Sequence, residues 1–399
     1  MEAAKIVATL TRTVGDVGLA EDLAQEALID ALTQWPSAGV PRNPGAWLTT
    51  VAKRKAIDQW RRQDNLDAKY AVLARDLENR VDDAWDPDRI DDDVLRLIFM
   101  SAHPTLSREN QIALTLRVVG GLTTEEIAKA FLVPKATVAQ RIVRAKKTLT
   151  GVPFEVPDLS DFPARLSAVL SVIYLVFNEG YSASSGQEWI RDELCSEALR
   201  LGRVLAALAP DEAEVHGLVA LMEFQSSRLR ARTDRDGRPI LLEDQNRARW
   251  DRAQIQRGVA ALQRASDTLQ RRGIGWGPYS LQAALAECHA VAPTADDTDW
   301  ARIVALYDAL LQLTPSPVVE LNRAIAVAMA DGPSSALALV DAIEGLDGSH
   351  LLPSVRGELL SRIGRADEAA AEFDRAAGMA ENEREREVLR DKAAAARQL

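Results

Sequence analysis

The chain has 399 residues, 47% of them hydrophobic and 27% charged, which is the composition of a water-soluble globular protein with two or three domains and ample core. No apolar run approaches the roughly 20 residues of a membrane span and no secretory apolar segment begins the chain, which excludes a membrane or secreted class and predicts a cytoplasmic protein. The net charge of −11 for the whole chain argues against nucleic-acid binding. However, residues 1–150 carry 21 basic and 21 acidic side chains, whereas residues 151–399 carry 27 basic and 38 acidic ones, so all of the excess acid lies in the second part.

The first 62 residues are predicted to form helices only. A short amphipathic helix is expected at 3–12, a stronger one at 19–35 with Asp16 available as its cap, and a third at 45–62 with an apolar face and a cluster of cations elsewhere. An acidic, weakly patterned segment at 63–93 follows, and it predicts a linker whose last aspartates, Asp91 to Asp93, cap the next helix.

Two short helices at 122–149 organise the chain. Thr123 is the expected cap of the first, with Glu125 and Glu126 in its first turn, where the helix dipole favours acids. Pro134 separates this helix from a second that begins at Lys135. The second helix has apolar residues at the spacing of one core stripe: Val138, Ile142, Ala145 and Leu149. Helices at 94–102 and 107–119 complete the scaffold of this region.

The other faces of the second helix carry five cations and no acid. A pair of short helices joined by a tight turn, with a basic second helix, is the arrangement with which a helix-turn-helix enters the major groove. Cations there neutralise phosphates, and Arg and Gln reach base edges. The alternative is an ordinary helical hairpin with a solvated basic face, and the spacing alone does not decide between the two.

Residues 151–163 contain two prolines and no periodicity, and they predict a boundary between domains. The rest of the chain, 164–399, is predicted to be helical throughout. The expected helices are 164–177, 187–208, 211–230, 244–265, 278–291, 298–313, 317–330, 334–345, 351–363, 366–378 and 382–397. Two segments, beginning at Ser316 and Leu352, align about 33 residues apart, close to the tetratricopeptide period, which predicts an array of helical pairs.

No residue pattern predicts catalysis, a metal site or a cofactor. Cys195 and Cys288 lie far apart in helical contexts and are expected to be buried thiols, and the four histidines form no spaced ligand set with them. Acid and base types do occur in the C-terminal part, but no nucleophile–base pair or phosphate loop joins them: Glu179, Tyr181, Asp234, Asp236, Gln282, His289 and Asp299. The chain is therefore predicted not to be an enzyme.

Three segments in this order resemble regions two and four of extracytoplasmic-function sigma factors of the sigma-70 family. They are DVGLAEDLAQEALIDAL, AWLTTVAKRKAIDQWRR and, about 60 residues later, EEIAKAFLVPKATVAQRIVRAKKTL. The resemblance covers about residues 10–150 and implies an all-α transcription initiation factor, with region two at 1–62 and the helix-turn-helix of region four at 94–150. Such a factor binds core RNA polymerase and promoter DNA and leaves the chemistry to the polymerase.

The resemblance also implies roles for individual residues. Contact with the β′ clamp helices of core polymerase is expected from Asp22, Gln25 and Glu26, and the β subunit is a further expected partner. Contact with the minus-ten element is expected from Trp47, Lys53, Arg54, Arg61 and Arg62, where Trp47 either stacks on an unpaired base or simply packs in the core. Contact with the minus-thirty-five element is expected from Lys135, Thr137, Gln140, Arg141, Arg144, Lys146 and Lys147.

The chain departs from the family pattern at two positions. Arg54 stands where family members usually have Asn, so their preference at the minus-ten element does not transfer. Leu132 replaces the usual turn glycine of region four, so the turn must adopt another backbone form or accept strain of about 1–3 kcal/mol.

The C-terminal part resembles the tetratricopeptide-like extension of one subgroup of these sigma factors, including its segments at 174–184, 233–239 and 276–285. A regulatory protein or a ligand is the expected partner of this extension. Its excess acid would shield the basic helices, or, as the alternative, the extension is required for folding or for contact with polymerase. The alternative function is a one-component helix-turn-helix regulator with a ligand-sensing helical domain. Such a regulator has no need of the first two segments. An enzyme fused to a DNA-binding domain is a third hypothesis, for which no site is assembled in the sequence.

Overall fold

A computed structural model describes residues 2–63, 87–131, 133–158, 160–181, 191–235, 240–380 and 383–398. These residues contain helices and no strand, which confirms the all-α prediction. The contacts divide the chain into two compact units, residues 1–175 and 176–399, with the boundary inside one long helix. The predicted boundary at 151–163 and the other domain limits remain predictions.

The helices of the first unit follow the sequence closely. They are α1 (Glu2–Val14), α2 (Val17–Ala38), α3 (Pro44–Gln63), α4 (Pro87–Ser101), α5 (Arg108–Thr115), α6 (Thr124–Ala130), α7 (Lys135–Leu149) and α8 (Phe162–Tyr181), which continues into the second unit. One π-helical turn, Leu116–Gly120, extends α5 and ends at Gly121, whose positive φ of 77° suits glycine. Helix α1 lies at the centre and packs against α2, α3 and α4.

Local signals set these helix ends. Asp16 caps α2 as predicted, because its Oδ1 accepts a hydrogen bond from Leu19 N at 2.8 Å. Thr123 caps α6 in a reciprocal pair: Glu126 N donates to Thr123 Oγ1 at 3.1 Å, and Thr123 N donates to Glu126 Oε2 at 2.7 Å. Hydrogen bonds from the backbone N–H and the hydroxyl of Thr123 to the carboxylate lower the pKa of Glu126.

Helix α4 begins earlier than the sequence predicts. Pro87 starts it inside the segment expected to be a linker, and the rest of that segment, residues 64–86, lies outside the described residues. Asp93 is therefore not a cap but a fully buried residue within the helix. Its carboxylate pairs with Arg12 of α1 and Arg96 of α4, both at 2.8 Å. Burial without such partners would be costly, so Asp93 ties α4 to α1.

The second unit continues with helices only among its described residues. They are α9 (Asp192–Leu208), α10 (Ala213–Ser226), α11 (Arg252–Arg272), α12 (Pro278–Val291), α13 (Trp300–Leu313), α14 (Pro317–Asp331), α15 (Pro333–Asp341), α16 (Leu351–Arg362), α17 (Ala366–Met379) and α18 (Glu383–Ala396). Helix α10 is central, and residues 215–224 are all buried. From α10 onward each helix contacts the next one in the chain.

One helix of this unit begins well away from its predicted start. The sequence predicts a helix over 244–265, but α11 begins at Arg252 because Asp251 caps it, accepting from Gln254 N at 3.0 Å. Short 3₁₀ turns, Leu242–Asp244 and Arg247–Arg249, occupy the preceding residues.

Equivalent ion pairs recur in the C-terminal helices at the period that the sequence indicates. Arg323 Nε lies 2.6 Å from Asp308 Oδ1, and Arg356 Nε lies 2.7 Å from Asp341 Oδ1. Both the arginines and the aspartates are 33 positions apart in the chain. The first pair joins α14 to α13, and the second joins α16 to the last residue of α15. The repeat is therefore present in the structure as well as in the sequence.

Helix α8 is the one described helix that is long and apolar enough, by length and composition, to cross a membrane. The sequence prediction of no such run was therefore too strict. Its apolar side chains include several that are fully buried, which is typical of a core helix: Val169, Leu170, Val172, Ile173, Val176 and Phe177. Cys195 and Cys288 are buried free thiols, as predicted.

Candidate nucleic-acid interface

Helix α7 packs one stripe into the first unit and turns its other faces outward. Pro134 precedes the helix, and its fixed φ of −58° is compatible with the turn that leads into Lys135. The predicted core stripe is confirmed, because the side chains of Val138, Ile142, Ala145 and Leu149 are all buried. Leu132, where the turn departs from the family pattern, lies outside the described residues.

The cations and amide of α7 are not equally available. Four of the predicted contacts are exposed: Lys135, Gln140, Arg144 and Lys147. Thr137 and Arg141 are half-buried. Lys135 Nζ lies 3.0 Å from Glu125 Oε2, but both side chains are largely exposed and the pair is weak. Gln140, Arg144 and Lys147 follow one another at intervals of four and three positions, so they form one outward face of the helix, whereas Lys135 lies in the first turn and on another side.

Arg141 lies close enough to Glu109 of α5 to influence it. The pKa of Glu109 lies below its usual range because its own backbone N–H and the Ser107 hydroxyl donate hydrogen bonds to the carboxylate, with a smaller effect from the charge of Arg141. Part of the positive charge of Arg141 is thus directed at α5.

Helix α2 presents the residues predicted to contact polymerase along one face. The side chains of Asp22 and Glu26 are 71% and 57% exposed. The same face continues into two large apolar side chains, Ile29 at 61% and Leu32 at 77% exposure. Positions 22, 26, 29 and 32 follow helical spacing, so this face, the α2 stripe, is continuous.

The α2 stripe also contacts α3 through Lys55. Its Nζ lies 3.0 Å from Asp30 Oδ2 and 3.4 Å from Glu26 Oε2. The hydrogen bond with Asp30 is the main reason that the pKa of Lys55 is raised.

Helix α3 holds the residues predicted to contact the minus-ten element. Trp47 is half-buried, and its ring meets the Trp35 ring edge-on, with centroids 5.4 Å apart. This packing fits a core role for Trp47 in the free protein. Arg54 is exposed and Lys53 is half-buried. The backbone of Arg61 and Arg62 continues α3, but their side chains lie outside the described residues.

Glu21 joins these two predicted surfaces, although the sequence analysis did not select it. It is 5% exposed, and its Oε1 lies 2.7 Å from Arg117 Nε. Its Oε2 lies 2.5 Å from Lys146 Nζ, which is also 3.2 Å from Asp22 Oδ1. Gln25 donates a hydrogen bond to Glu21. We refer to Glu21, Asp22, Gln25, Arg117 and Lys146 as the Glu21 cluster.

The sequence contained one signal for this cluster. Glu21 follows Val17 by four positions and precedes Ala24 by three, and both of these residues are buried. An acid in a core stripe is rare unless a cation accompanies it. That signal predicts a buried partner for Glu21, but it does not identify Arg117 or Lys146.

The Glu21 cluster brings two predicted sites into contact. Asp22 and Gln25 are predicted to bind polymerase, and Lys146 is predicted to bind DNA. In this arrangement Lys146 is only 18% exposed, so its charge is directed at α2 and not at solvent. These role assignments remain predictions.

The acid and base side chains noted in the second unit are engaged separately. Glu179 pairs with Arg191 at 2.5 Å, Asp299 accepts from Arg302 N at 2.9 Å, and Gln282 donates to Pro278 O at 3.2 Å. Asp236 lies outside the described residues. Within the described part of the chain, no group of three or more His, Cys, Asp or Glu side chains could hold a metal ion.

Comparison with known proteins finds uncharacterised relatives as well as relatives of known class. Residues 165–266 match a family of unknown function, DUF6596. An uncharacterised protein of Rhizobium meliloti (strain 1021) is 46% identical over 390 residues, which cover 96% of this chain and 90% of that protein. No solved structure matches the chain.

The first unit matches proteins of known class. Residues 2–66 match sigma-70 region 2, and residues 96–149 match sigma-70 region 4. The ECF RNA polymerase sigma-E factor of Haemophilus influenzae is 28% identical over 36% of this chain and 79% of its own length. The RNA polymerase sigma-H factor of Pseudomonas aeruginosa is 32% identical over 36% of this chain and 78% of its own length. The chain therefore belongs to the extracytoplasmic-function sigma factors of the sigma-70 family.

Proposed function

We propose that this sigma factor binds core RNA polymerase, directs it to a promoter with minus-thirty-five and minus-ten elements, and is regulated through its C-terminal helical unit. The observation that carries the proposal is the outward face of α7, with Gln140, Arg144 and Lys147 exposed above a fully buried core stripe, in a segment that matches sigma-70 region 4. The family is not an enzyme family, and the polymerase performs the chemistry.

Helix α7 is proposed to read the minus-thirty-five element in the major groove. Arg144 and Gln140 are four positions apart on one exposed face, and their side chains have the donors that recognise base edges. Lys135 and Lys147, near the two ends of the helix, suit the phosphates on either side.

Helix α3 is proposed to meet the minus-ten element, with Arg54 and Lys53 on the phosphates and Trp47 beside an unpaired base. The Trp35–Trp47 contact is compatible with this role if the indole moves when the strands separate, since aromatic faces stack on unpaired bases. Arg61 and Arg62 extend the same basic helix.

The α2 stripe is proposed to dock on the β′ clamp helices of polymerase. Monomeric proteins rarely expose large apolar side chains side by side on one helix, so Ile29 and Leu32 favour a protein partner. Asp22 and Glu26 on the same face would supply charge complementarity and orientation. Contact with the β subunit is expected from region four.

The Glu21 cluster adds a step to this function. Lys146 cannot meet a phosphate while it pairs with Glu21, and Gln25 is engaged by its hydrogen bond to Glu21, whereas Asp22 keeps 71% of its side chain exposed. We therefore propose that the described arrangement is a closed state of the free factor, and that binding to polymerase separates α2 from α7.

The second unit is proposed to be a tetratricopeptide-like array that regulates the factor through a partner protein or a ligand. Helices that contact their neighbours in sequence, and ion pairs that recur after 33 positions, support the repeat. No cofactor and no membrane contact are proposed, and the factor is expected in the cytoplasm, where this family generally acts.

Reconstitution with core polymerase and a promoter library, read by sequencing of run-off transcripts, tests the function. The full chain should select one class of two-element promoter. Arg144→Ala should lower use of that class by about 10-fold or more, the loss expected for one base contact. Leu32→Asp, at an exposed position, should weaken binding to core without loss of helicity. A chain that gives no transcripts above core alone, while folded and bound to core, would contradict the proposal.

A further inference from the structure

An arginine-rich segment of the second unit stands out in an acidic part of the chain. Residues 228–252 contain eight arginines and five acidic residues, whereas residues 151–399 as a whole carry 27 basic and 38 acidic side chains. This segment lies within the stretch that matches a family of unknown function. The proposed promoter function does not use it.

Three arginines of the segment contact two aromatic side chains, Tyr181 and Trp250. Arg232 is buried, lies 3.5 Å from the centroid of the Tyr181 ring and donates to Tyr181 O. Arg228 donates to the Tyr181 hydroxyl at 2.7 Å. Arg247 lies 4.5 Å from the centroid of the Trp250 ring. Such stacking positions guanidinium groups and reduces their exposure to water.

The contacts at Tyr181 and at Trp250 lie side by side. Asp251 N donates to Ser227 O at 2.8 Å, which joins the backbone next to Arg228 to the backbone next to Trp250. The 3₁₀ turns Leu229–Ala231 and Arg247–Arg249 also touch. Arg228, Arg232 and Arg247 are therefore gathered in one small volume.

The charge of these arginines acts on the groups around them. The pKa of His289 falls to about 4, because burial disfavours its charged form and Arg228 and Arg247 repel a further proton. Burial lowers the pKa of Arg247, and the charges of Arg228 and Arg252 lower it further. His289 is therefore neutral at physiological pH, and the local potential is positive.

A cavity of about 640 Å³ opens beside this cluster. Its size lies within the range of about 300–1,000 Å³ that is usual for small-molecule sites. Arg230, Thr233, Arg249 and Trp250 line it with hydrogen-bond donors. Trp250 is 3% exposed, and its Nε1 has no hydrogen-bond partner in the described structure. A buried indole N–H of this kind normally has an acceptor.

Two acids also line the cavity, but each lies at a helix N-terminus. Asp251 accepts a hydrogen bond from Gln254 N and caps α11, and Asp192 is in the first turn of α9. The positive ends of these helix dipoles offset part of their negative charge. The lining thus has two arginines and two partly offset acids, and Arg228 and Arg247 beside it add positive potential.

We propose that this cavity, the Trp250 site, binds a small molecule that carries an oxyanion group, a phosphate or a carboxylate. Arg230 and Arg249 pair with the charge of the ligand, and a small shift of the groups that cover Trp250 Nε1 lets this buried N–H donate a hydrogen bond to an oxygen of the ligand. Arg247 stacks on the same indole ring and supplies further positive potential. The site is independent of promoter recognition, and it provides a defined place for a ligand in the second unit.

Calorimetric titration of the full chain tests the Trp250 site, with pyrophosphate and citrate as probes and sodium chloride of equal ionic strength as the reference. Pyrophosphate binding alone identifies a phosphate site, citrate binding alone a carboxylate site, and binding of both a general oxyanion site. We expect saturable binding of at least one probe. The double variant Arg230→Ala/Arg249→Ala should weaken it at least 10-fold, and both positions are exposed, so the fold should tolerate the change.

Two further variants complete the test. Trp250→Phe keeps an aromatic ring but removes the N–H, and it should weaken binding by about 10-fold, as expected for one hydrogen bond to a charged group. Arg264→Ala removes an exposed arginine of α11 outside the cavity and should leave binding unchanged. No saturable binding of either probe, or an equal loss in Arg264→Ala and in the double variant, would overturn the proposal.

Discussion

At the residue scale, Glu21 is expected to control the closed state. Glu21→Gln keeps the shape of the side chain but removes the charge that Arg117 and Lys146 share. Breaking a buried ion pair costs about 3 kcal/mol or more, and the cations are then drawn to other partners. We expect the free factor to bind promoter DNA at least 10-fold more tightly at low salt, and to unfold at a lower temperature. Fluorescence anisotropy with labelled promoter DNA measures the first effect.

Glu125→Gln is the matched control for this change. It removes a carboxylate that pairs with Lys135, another cation of α7. The side chains of Glu125 and Lys135 are both largely exposed. Exposed pairs contribute about 0–1 kcal/mol, so thermal stability should hardly change. Equal effects of the two substitutions on stability and DNA binding would contradict a special role for Glu21.

At the scale of elements, the approach of α2 and α7 allows the closed state to be locked. A Cβ atom built on Gly18 would lie 3.7 Å from Lys146 Cβ, and disulfides join Cβ atoms that are about 3.5–4.5 Å apart. The oxidised Gly18→Cys/Lys146→Cys variant should therefore hold α2 against α7. We expect its affinity for core polymerase to fall at least 10-fold, and reduction with dithiothreitol should restore it.

The reduced form of the same variant is the control, because it has the same sequence without the link. The native thiols should not compete, since both are buried and burial raises the pKa of Cys195 to about 12. Mass spectrometry of the oxidised protein verifies the bond. Equal binding of core by the oxidised and reduced forms would show that α2 and α7 need not separate.

At the scale of the whole molecule, charge is distributed unevenly. Residues 182–399 carry 26 basic and 34 acidic side chains, so we expect them to repel DNA and to favour the free, closed factor. A chain that ends at Tyr181 retains α8 and its hydrogen bond from Arg165 to Phe99 O. We expect this chain to bind promoter DNA at least as tightly as the full chain, with the largest difference at low salt, where screening is weakest.

Circular dichroism of the shortened chain must first show native helicity. Binding curves at two or more salt concentrations, together with run-off transcription, then separate two roles of the second unit. A folded chain that binds or initiates more weakly than the full factor would show that the second unit is required, and not inhibitory.

The sequence by itself determined most of the helices, the caps of α2 and α6 and the outward face of α7. These features depend on neighbours in the chain. Asp16 and Thr123 each accept a capping hydrogen bond from the residue three positions later, and Pro134 restricts the backbone of a turn. Val138 and Ile142 follow the period of one helix. Periodicity and capping are local, so the helix-turn-helix pattern and the family could be identified without coordinates.

Only the tertiary structure decided which of these side chains meet. Glu21 and Arg117 are 96 positions apart, and no local pattern pairs them. The same holds for Arg228 and Tyr181, which are 47 positions apart. Asp93 shows the physical reason: in sequence it resembles a cap, but packing of α4 on α1 buries it, and burial makes pairing with Arg12 necessary. Contacts of this kind follow from how helices pack, and helical periodicity records which face packs but not what it packs against.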